Sequence, residues 1–411
     1  MNHPAAHALQ DGSTMAGPER PALLVFAALR WNFDWQRPQQ LLTRLAKHYR
    51  VLYVEEPVTT HQDPYLECTQ VAPGVEVLVV HTRCDACGFH RDQFPTMAAL
   101  LSAFLQERGI AEPLAWTDTP AALPLIETLS PRAVVYDCHD DASREGGDAA
   151  LVRRADIVVA GGPSLYQALR ARHANVHCIA SGVDAAHFAP PPAAAKSIEA
   201  VSARAIHAAI PNPRLGFFGV IDERVDLDLV ARIADLRPDW QLVMAGPLRG
   251  VSPDALPRRG NLLWLGPQTY AILPHLQAHW DVCLLPLRVD VCARRAVPVE
   301  ALEFLAGQKS VVSTPVADVV SLHGHIVRLA PNATAFVEAC RAAMCERGPL
   351  RRQRRIDALI AVHSCGWDRA ADRVHKLMVA FSHEPTHEHA PASLLAAANQ
   401  GLRRTQAPHV A

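Results

Sequence analysis

Short runs of apolar, often β-branched residues alternate with amphipathic stretches along almost the whole chain of 411 residues. Ala22–Leu29 has the length and composition of a buried strand, and Gln36–His48 places Leu41 and Leu45 on one helical stripe. Strand–helix alternation on this scale predicts parallel, doubly wound sheets. Further strands are predicted at Val51–Val54, Val75–His81, Leu114–Thr117, Ala133–Tyr136, Ile157–Ala160, Val176–Ala180, Arg214–Gly219, Gln241–Ala245, Leu262–Leu265, Val282–Leu285, Val311–Thr314 and Ile326–Leu329.

The alternation is interrupted once, by a proline- and alanine-rich stretch that divides the chain into two halves of similar size. At roughly 150 residues per domain, the length also agrees with two or three domains. Ligands of doubly wound sheets bind beyond the carboxyl ends of the strands, so we expect a cleft between the halves. The predicted organisation is a leader (1–20), a first α/β domain (21–189), a linker (190–213), a second α/β domain (214–365), a helix that crosses back to the first domain (366–382) and a loose tail (383–411).

Composition and charge exclude several functional classes. Lys and Arg total 40 and Asp and Glu total 41, so the chain lacks the basic excess of a nucleic-acid binder. No apolar run approaches the roughly 20 residues of a membrane span, and the first 20 residues contain no apolar core of a secretory signal. Ten cysteines are scattered without a disulfide framework, which is typical of reduced thiols in a cytoplasmic protein.

Familiar nucleotide and metal motifs are absent or broken. There is no GxxxxGK[ST] loop, and bulky residues rather than GxGxxG follow the first strand, which argues against a classical dinucleotide enzyme. His383–His387 spells HExxH, but Pro385 breaks the helix that such a zinc site needs. Cys84, Cys87 and His90 have zinc-like spacing without a second CxxC, so a loop with reduced thiols is the preferred interpretation.

Several short motifs occur in a fixed order along residues 23–381. The first half contains Asp34-Trp35-Gln36-Arg37-Pro38-Gln39-Gln40, Val54-Glu55-Glu56-Pro57, Tyr136-Asp137-Cys138-His139-Asp140-Asp141 and Ser181-Gly182-Val183-Asp184 with His187-Phe188. The second half contains Leu215-Gly216-Phe217-Phe218-Gly219 with Arg224 and Asp226, Ala245-Gly246-Pro247, Leu265-Gly266-Pro267 with Tyr270 and Leu273-Pro274, Asp281 to Pro286, and Pro298 to Gly307. In this order and spacing the chain resembles retaining glycosyltransferases of the GT-B fold, the family-4-like group with many bacterial polysaccharide enzymes.

The resemblance implies two Rossmann-like domains that face a central cleft, with the nucleotide-sugar donor on the second domain. A helix that starts at Pro298 and Val299 has free N–H groups suited to a diphosphate. In the family, the residue matching Glu303 holds the ribose, and backbone groups near Gly266 and Gln268 grip the base. The resemblance also places Arg224 near phosphate, and Gly219 permits close backbone approach. The structural alternatives are that Glu303 is an acidic residue favoured in the first turn of a helix, that Gly219 and Gly266 are turn glycines, and that Arg224 is a solvated surface charge.

The donor segment departs from the family pattern. Val297 and Glu300 replace the subgroup's Asn and Lys, and Arg295 stands where the broader family has an acidic residue. A charge reversal that faces a diphosphate is costly, since one pair at 4 Å is worth on the order of 4 kcal/mol at an effective dielectric constant near 20. Either Arg294 and Arg295, with Arg288, restore the positive charge, or the donor site is weakened or lost.

Acceptor-side candidates follow two strands of the first half. Asp137, His139 and Asp140 come at a strand end, where acidic groups can orient acceptor hydroxyls, and Gln36 and Arg37 are expected to line the acceptor pocket. The alternatives are helix capping for the acids and a structural imidazole for His139. The basic run 351–355 is expected to be a solvated helix face, with anionic lipid at the inner face of the membrane as the alternative.

The sequence thus predicts a cytoplasmic, retaining glycosyltransferase that moves a sugar from a nucleotide-diphosphate donor to a glycan or lipid-linked acceptor. No cofactor is expected, and donor binding is expected to be independent of metal, because the family's metal motif is not required on this fold. The alternative is a catalytically impaired GT-B relative that serves as a partner or scaffold subunit. A third hypothesis is another GT-B enzyme class, such as a sugar-nucleotide epimerase.

Overall fold

A computed structural model describes residues 20–33, 35–139, 147–292 and 298–383. The first half forms a nine-stranded sheet in the order β3-β5-β2-β1-β6-β7-β8-β9, with β4 antiparallel to β5 and all other pairs parallel. Its strands are β1 Ala22–Phe26, β2 Arg50–Val54, β3 Val58–Thr59, β4 Tyr65–Ala72, β5 Val75–Thr82, β6 Leu114–Thr117, β7 Ala133–Cys138, β8 Ile157–Ala160 and β9 Val176–Cys178.

The second half forms a six-stranded parallel sheet in the order β12-β11-β10-β13-β14-β15. This is the 3-2-1-4-5-6 order of doubly wound nucleotide-binding folds. Its strands are β10 Arg214–Phe218, β11 Gln241–Ala245, β12 Leu262–Trp264, β13 Val282–Leu285, β14 Val311–Ser313 and β15 Arg328–Leu329. The predicted pair of parallel doubly wound sheets is therefore confirmed.

Helices cover the sheets, and several begin at recognisable caps. Gln36 and Gln39 form a capping box at the start of α1, and the Asp226 carboxylate accepts a hydrogen bond from the Leu229 N–H at the start of α7. The helices are α1 Arg37–Leu45, α2 Phe94–Glu107, α3 Leu123–Thr128, α4 Ala149–Arg154, α5 Pro163–Leu169, α6 Ile198–His207, α7 Leu227–Leu236, α8 Leu273–Ala278, α9 Val289–Cys292, α10 Glu300–Ala306, α11 Ala317–His323, α12 Ala333–Cys345, α13 Gly348–Ser364 and α14 Trp367–His383.

Both faces of the first sheet are buried. Leu24 and Phe26 of β1 belong to one apolar cluster, whereas Leu23 and Val25 belong to the cluster on the other face. Side chains alternate between the faces of a strand, so a sheet covered on both sides needs continuous apolar runs. This requirement explains why these strands could be predicted from the sequence. The second sheet has its own apolar cluster around Phe218, Trp240 and Phe304.

The last helix returns to the first half of the molecule. α14 packs against α1 and buries Trp367, Ala371, Val374 and Met378 in the cluster under the first sheet. The return passes close to Gly182, where an added Cβ would lie 2.8 Å from the Cys365 carbonyl oxygen. The two halves are thus joined by the 190–213 stretch and again by this C-terminal helix.

The antiparallel strand β4 was not predicted. Tyr65–Ala72 pairs with β5 at one end of the sheet, and most of its residues are exposed or half-buried. An edge strand that is open to water does not need the continuous apolar run by which the other strands were found. The two-residue strand β3, Val58–Thr59, was not predicted either, and elsewhere the differences are shifts of a few residues at strand ends, as at Val176–Cys178 and Arg328–Leu329.

Candidate functional site

A cleft of about 850 Å³ lies between the two sheets and is lined by the loops that follow their strands. In the first half these loops follow β1, β6 and β7, and in the second half they follow β10, β11 and β12. The start of α10 closes one side. The cleft is lined by the predicted site residues Gln36, Arg37, His139, Gly219, Arg224, Gln268, Pro298, Val299 and Glu303. Asp140, Arg294 and Arg295 lie outside the described residues.

Two glycines bring the backbones of β10 and β11 together at the cleft wall. Gly219 has φ +145° and Gly246 has φ +146°, a region that favours glycine. A Cβ on Gly246 would lie 1.8 Å from the Gly219 carbonyl oxygen, and a Cβ on Gly219 would lie 2.6 Å from Glu300 Oε1. The space beside each glycine is therefore already filled, so neither position can hold a side chain without a shift of its neighbours.

Two carboxyl groups of α10 face the cleft. Glu303 is 8% exposed, and its burial together with the neighbouring Glu300 raises its pKa well above the usual range. Burial also raises the pKa of Glu300, while the Arg224 guanidinium acts in the opposite direction. The predicted helix begins at Glu300, so the departure from the family Lys lies at the first turn and inside the cleft. This end of the cleft favours protonated carboxyl groups.

Arg224 lines the cleft but has a carboxylate partner. Its Nη2 lies 2.8 Å from Asp222 Oδ2, and its Nε donates to both oxygens of the same carboxylate. Asp222 precedes Arg224 by two residues in the same loop, so the ion pair is local. Both side chains are partly exposed to solvent. An anionic ligand thus meets a cation whose charge is already partly balanced.

Of Gly266 and Gln268, which were predicted to lie near the base, only Gln268 lines the cleft. Gln268 lines the cleft, and its Nε2 donates to the Leu265 carbonyl. Gly266 is not among the residues that line the cleft, and its carbonyl accepts the N–H of Gly246, so its predicted contact with the base stays a prediction. Gly266 has φ +68° with open space around its Cβ position, so it turns the chain behind the wall.

Asp137 also lies behind the cleft wall rather than in it. The side chain is 1% exposed, and both carboxylate oxygens accept from Arg37, with Nη2 2.8 Å from Oδ1 and Nε 3.0 Å from Oδ2. Arg37 Nη1 donates to the Ile179 carbonyl. Both Asp137 oxygens thus accept from Arg37 behind the cleft wall, and the predicted role of Asp137 in orienting acceptor hydroxyls stays a prediction. Its function is to hold Arg37 and the start of α1 against the end of β7.

Asp118 is a site residue that the sequence analysis missed. It directly follows β6 and lines the cleft. Within the described residues, its Oδ1 is buried without a hydrogen-bond partner, and so is Nδ1 of His139. Burial raises the pKa of Asp118 to about 6, with His139 lowering and Asp137 raising it. The available signal was an acidic residue directly after a buried strand, as at Asp137. Asp118 and His139 together form the polar floor of the first half.

Cys84, Cys87 and His90, which have zinc-like spacing, do not form a metal-binding cluster in the part of the chain that the structure describes. No group of three or more His, Cys, Asp or Glu side chains there is placed to hold a metal ion. Cys84 and Cys87 are free thiols, and His90 accepts the Asp92 N–H at a helix start. The HExxH stretch lies outside the described residues after His383.

Comparison with solved structures identifies the fold. Sucrose-phosphate synthase from Thermosynechococcus elongatus superposes with a TM-score of 0.67 at 14% identity, covering 92% of this chain and all of that one. Anabaena HepE in complex with UDP-glucose gives 0.65 at 14% identity, covering 87% and 99%. An α,α-trehalose-phosphate synthase (UDP-forming) from Burkholderia vietnamiensis gives 0.64 at 14%, covering 88% and 99%.

This chain has the GT-B fold. It is also homologous to TuaH of Bacillus subtilis (strain 168), named as a teichuronic acid biosynthesis glycosyltransferase, with 26% identity over 224 residues. The match covers 48% of this chain and 54% of TuaH, so the chain spans about half the length of the curated relative it matches. No protein-family model matches the chain. Within the described ranges, no helix is long and apolar enough to cross a membrane.

Proposed function

We propose that this GT-B protein is a glycosyltransferase that moves a sugar from a nucleotide-diphosphate donor to a glycan or lipid-linked acceptor. The observation that carries the proposal is the cleft itself, in which strand-end loops of both sheets and the start of α10 converge. TuaH is named as a glycosyltransferase of teichuronic acid biosynthesis, which supports a place in polysaccharide or cell-envelope biosynthesis. Solved structures of similar fold contain UDP or UDP-glucose, which supports a nucleotide sugar.

In this proposal the donor lies on the second half of the cleft. The diphosphate lies along the backbone of Gly219 and Gly246 and near the start of α10, where backbone N–H groups and Arg224 favour negative charge. Glu303 accepts ribose hydroxyls, and Gln268 borders the base. Arg294 and Arg295 remain proposed phosphate ligands from the sequence.

In the first half of the cleft, Asp118 and His139 position the acceptor. Their unpaired buried atoms are suited to hydrogen bonds with acceptor hydroxyls or donor oxygens, and Gln36 and Asp140 complete the proposed set. We infer transfer with retention, in which the acceptor oxygen bonds to the anomeric carbon as its bond to phosphate oxygen breaks. The departing phosphate takes the acceptor proton. Such a step needs positioning and charge stabilisation rather than a covalent nucleophile.

Calorimetric titration with UDP, GDP, ADP and dTDP tests the donor site. We expect micromolar binding of one nucleotide, weakened at least tenfold by Glu303→Ala, because a ribose contact at the cleft wall is lost. Glu338→Ala is the matched control, since Glu338 is exposed on α12 in the same half. Absence of nucleotide binding at millimolar concentration contradicts the proposal and favours the non-catalytic GT-B relative. Hydrolysis or epimerisation of a sugar nucleotide without any acceptor favours the epimerase-like class.

We further propose that donor binding does not require a metal ion. The titration is therefore repeated after exhaustive treatment with EDTA and again with added Mg²⁺. Equal dissociation constants in the two solutions are expected. A nucleotide affinity that is lost with EDTA and restored by Mg²⁺ contradicts this part of the proposal.

A lipid-linked acceptor implies work at the inner face of the membrane, and α13 offers a surface for it. Ile356, Leu359 and Ile360 are 50%, 45% and 59% exposed along one side of this helix. Arg352 and Arg355 flank them and are exposed. Apolar residues beside arginines are typical of helices that lie in the interface of anionic membranes. Not all of the basic run takes part, because Arg354 Nε donates to Glu346.

Co-sedimentation with vesicles tests this contact. We expect the protein to bind vesicles that contain 30% phosphatidylglycerol and not pure phosphatidylcholine. Ile356→Ser with Ile360→Ser should reduce the bound fraction several-fold, because apolar insertion is lost. Ile198→Ser with Val201→Ser is the control, since both residues are exposed on α6. If the two double variants bind the vesicles equally well, α13 is not the membrane surface, and the proposal for the donor site is unaffected.

A further inference from the structure

A second cavity lies outside the cleft, where the chain leaves the first half. It has a volume of about 370 Å³ and lies between the Pro190–Ala193 segment, α6, α8 and the end of α10. We call it the rear pocket; its polar lining residues are Arg204, His275, Gln277, His279 and Lys309. No acidic residue among those that the structure describes lines it.

Two basic side chains of the rear pocket have no carboxylate partner within the described residues. Lys309 Nζ donates to the Ala278 and Trp280 carbonyls at 3.0 and 2.8 Å, and Arg204 Nη1 donates to the Ala195 carbonyl at 2.8 Å. Burial lowers the pKa of Lys309, and Asp281, whose charge acts in the opposite direction, accepts the Arg214 N–H at 2.7 Å. Carbonyl oxygens orient these cations without neutralising them, so the pocket retains positive charge.

Two histidines, His207 and His279, lie close to these cations. His279 stacks on His207 with ring centroids 4.8 Å apart, and its pKa is lowered to about 4 by burial and by the charges of Arg214, Lys309 and Arg204, with His207. His207 is held neutral from both sides, since Nδ1 lies 2.7 Å from the Ala203 carbonyl and Nε2 accepts from Trp280 Nε1 at 3.0 Å. Burial is the largest cause of the lowered pKa of His279, and the nearby cations act in the same direction.

A buried polar side chain of the pocket also lacks a partner. Gln277 is 1% exposed, and its Oε1 has no hydrogen bond within the described residues. Its Nε2 reaches the Glu303 carbonyl at 3.5 Å, and a Cβ on Gly307 would lie 2.3 Å from that nitrogen. The rear pocket therefore ends on the C-terminal end of α10, a helix of seven residues and about 10 Å whose other end lines the cleft.

We propose that the rear pocket binds a small anion that carries a phosphate group. Arg204 and Lys309 supply charge from two sides, and a guanidinium is well matched to phosphate oxygens. The volume exceeds that of inorganic phosphate, and the wall of Pro190 and Pro191 offers apolar surface to an attached carbon skeleton. The shared chemistry is the phosphate, whether free or esterified to a sugar. The site does not depend on glycosyl transfer in the cleft.

Calorimetric titration of the full chain with inorganic phosphate, glucose 6-phosphate and uncharged glucose tests the proposal. We expect a dissociation constant of about 1 mM or lower for at least one phosphate probe and no binding of glucose. Arg204→Met with Lys309→Met should weaken binding at least tenfold. Arg232→Met is the matched control, because Arg232 is exposed on α7 and lines neither cavity.

A second variant keeps the test decisive if the double variant does not fold. Ala193→Trp fills the pocket while leaving every cation in place, so it should abolish the same binding. Nucleotide titration of both variants separates this site from the cleft, where affinity should stay within twofold. Tighter binding of glucose 6-phosphate than of phosphate identifies the ester as the occupant, and equal affinity identifies the free anion. No phosphate binding at 20 mM, or binding unchanged in both variants, overturns the proposal.

Discussion

Arg37 and Asp137, which are 100 residues apart in the chain, form a buried ion pair in which the guanidinium donates three hydrogen bonds to the carboxylate. The pair joins the first residue of α1 to the end of β7, and Arg37 also reaches the Ile179 carbonyl beyond β9. The first half of the cleft is therefore built on a fixed internal charge pair. The neighbouring Asp118, in contrast, has an unpaired oxygen.

Removing one member of this pair should destabilise the fold strongly. Arg37→Met leaves the Asp137 carboxylate buried without a partner, and we expect a loss of about 3–5 kcal/mol in the free energy of unfolding. The measurement is urea denaturation. The double variant Arg37→Met with Asp137→Leu should lose less than the sum of the single variants, because no charge remains buried. Additive losses would contradict a direct interaction.

Asp118 should make stability fall as the pH rises. Its pKa is raised from 3.8 to about 6 in the folded protein, so between these values the folded state holds a proton that the unfolded chain has released. At 1.36 kcal/mol per unit, this group removes at most about 3 kcal/mol between pH 4 and 7. Asp118→Asn should flatten the pH dependence of unfolding relative to wild type. Asp254→Asn, at a fully open surface position, should leave it unchanged.

Glu300 should oppose diphosphate binding more strongly at high pH. Burial raises its pKa, so it is more often protonated at low pH, where a bound phosphate meets less negative charge. Glu300→Gln should increase nucleoside diphosphate affinity about tenfold at pH 8, equivalent to about 1.4 kcal/mol, and less at pH 5. Calorimetry at the two pH values measures this difference, with Glu338→Gln as control. Weaker binding by Glu300→Gln at pH 8 would show that Glu300 contacts the ligand favourably.

Gly246 should tolerate no side chain. A Cβ there would lie 1.8 Å from the Gly219 carbonyl oxygen at φ +146°, so Gly246→Ala must displace β10 or β11 at the cleft wall. We expect a loss of at least about 2 kcal/mol in the free energy of unfolding, measured by thermal or urea denaturation. Gly260→Ala has open space around its Cβ and should change stability by no more than about 0.5 kcal/mol. Equal effects at the two positions would argue against close contact at the wall.

Strands that are buried on both faces could be read from the sequence almost to the residue. Leu114–Thr117, Ile157–Ala160, Gln241–Ala245 and Val282–Leu285 have the predicted bounds, because a covered sheet requires uninterrupted apolar runs. The edge strand Tyr65–Ala72 lacks that constraint and was missed. Most predicted donor residues line the cleft because strand-end loops must meet there in this topology.

What the sequence by itself determined is the alternation of strands and helices, the division into two doubly wound halves and the loops that carry polar residues. Only the tertiary structure decided which of those polar residues are available to a ligand. Asp118 and Asp137 both follow or end buried strands, yet Asp137 is paired with Arg37, whereas Asp118 lines the cleft and keeps one buried oxygen without a hydrogen bond. Pairing depends on which distant chain segment packs against each strand end. Hydrophobic periodicity is local and carries no information about that contact.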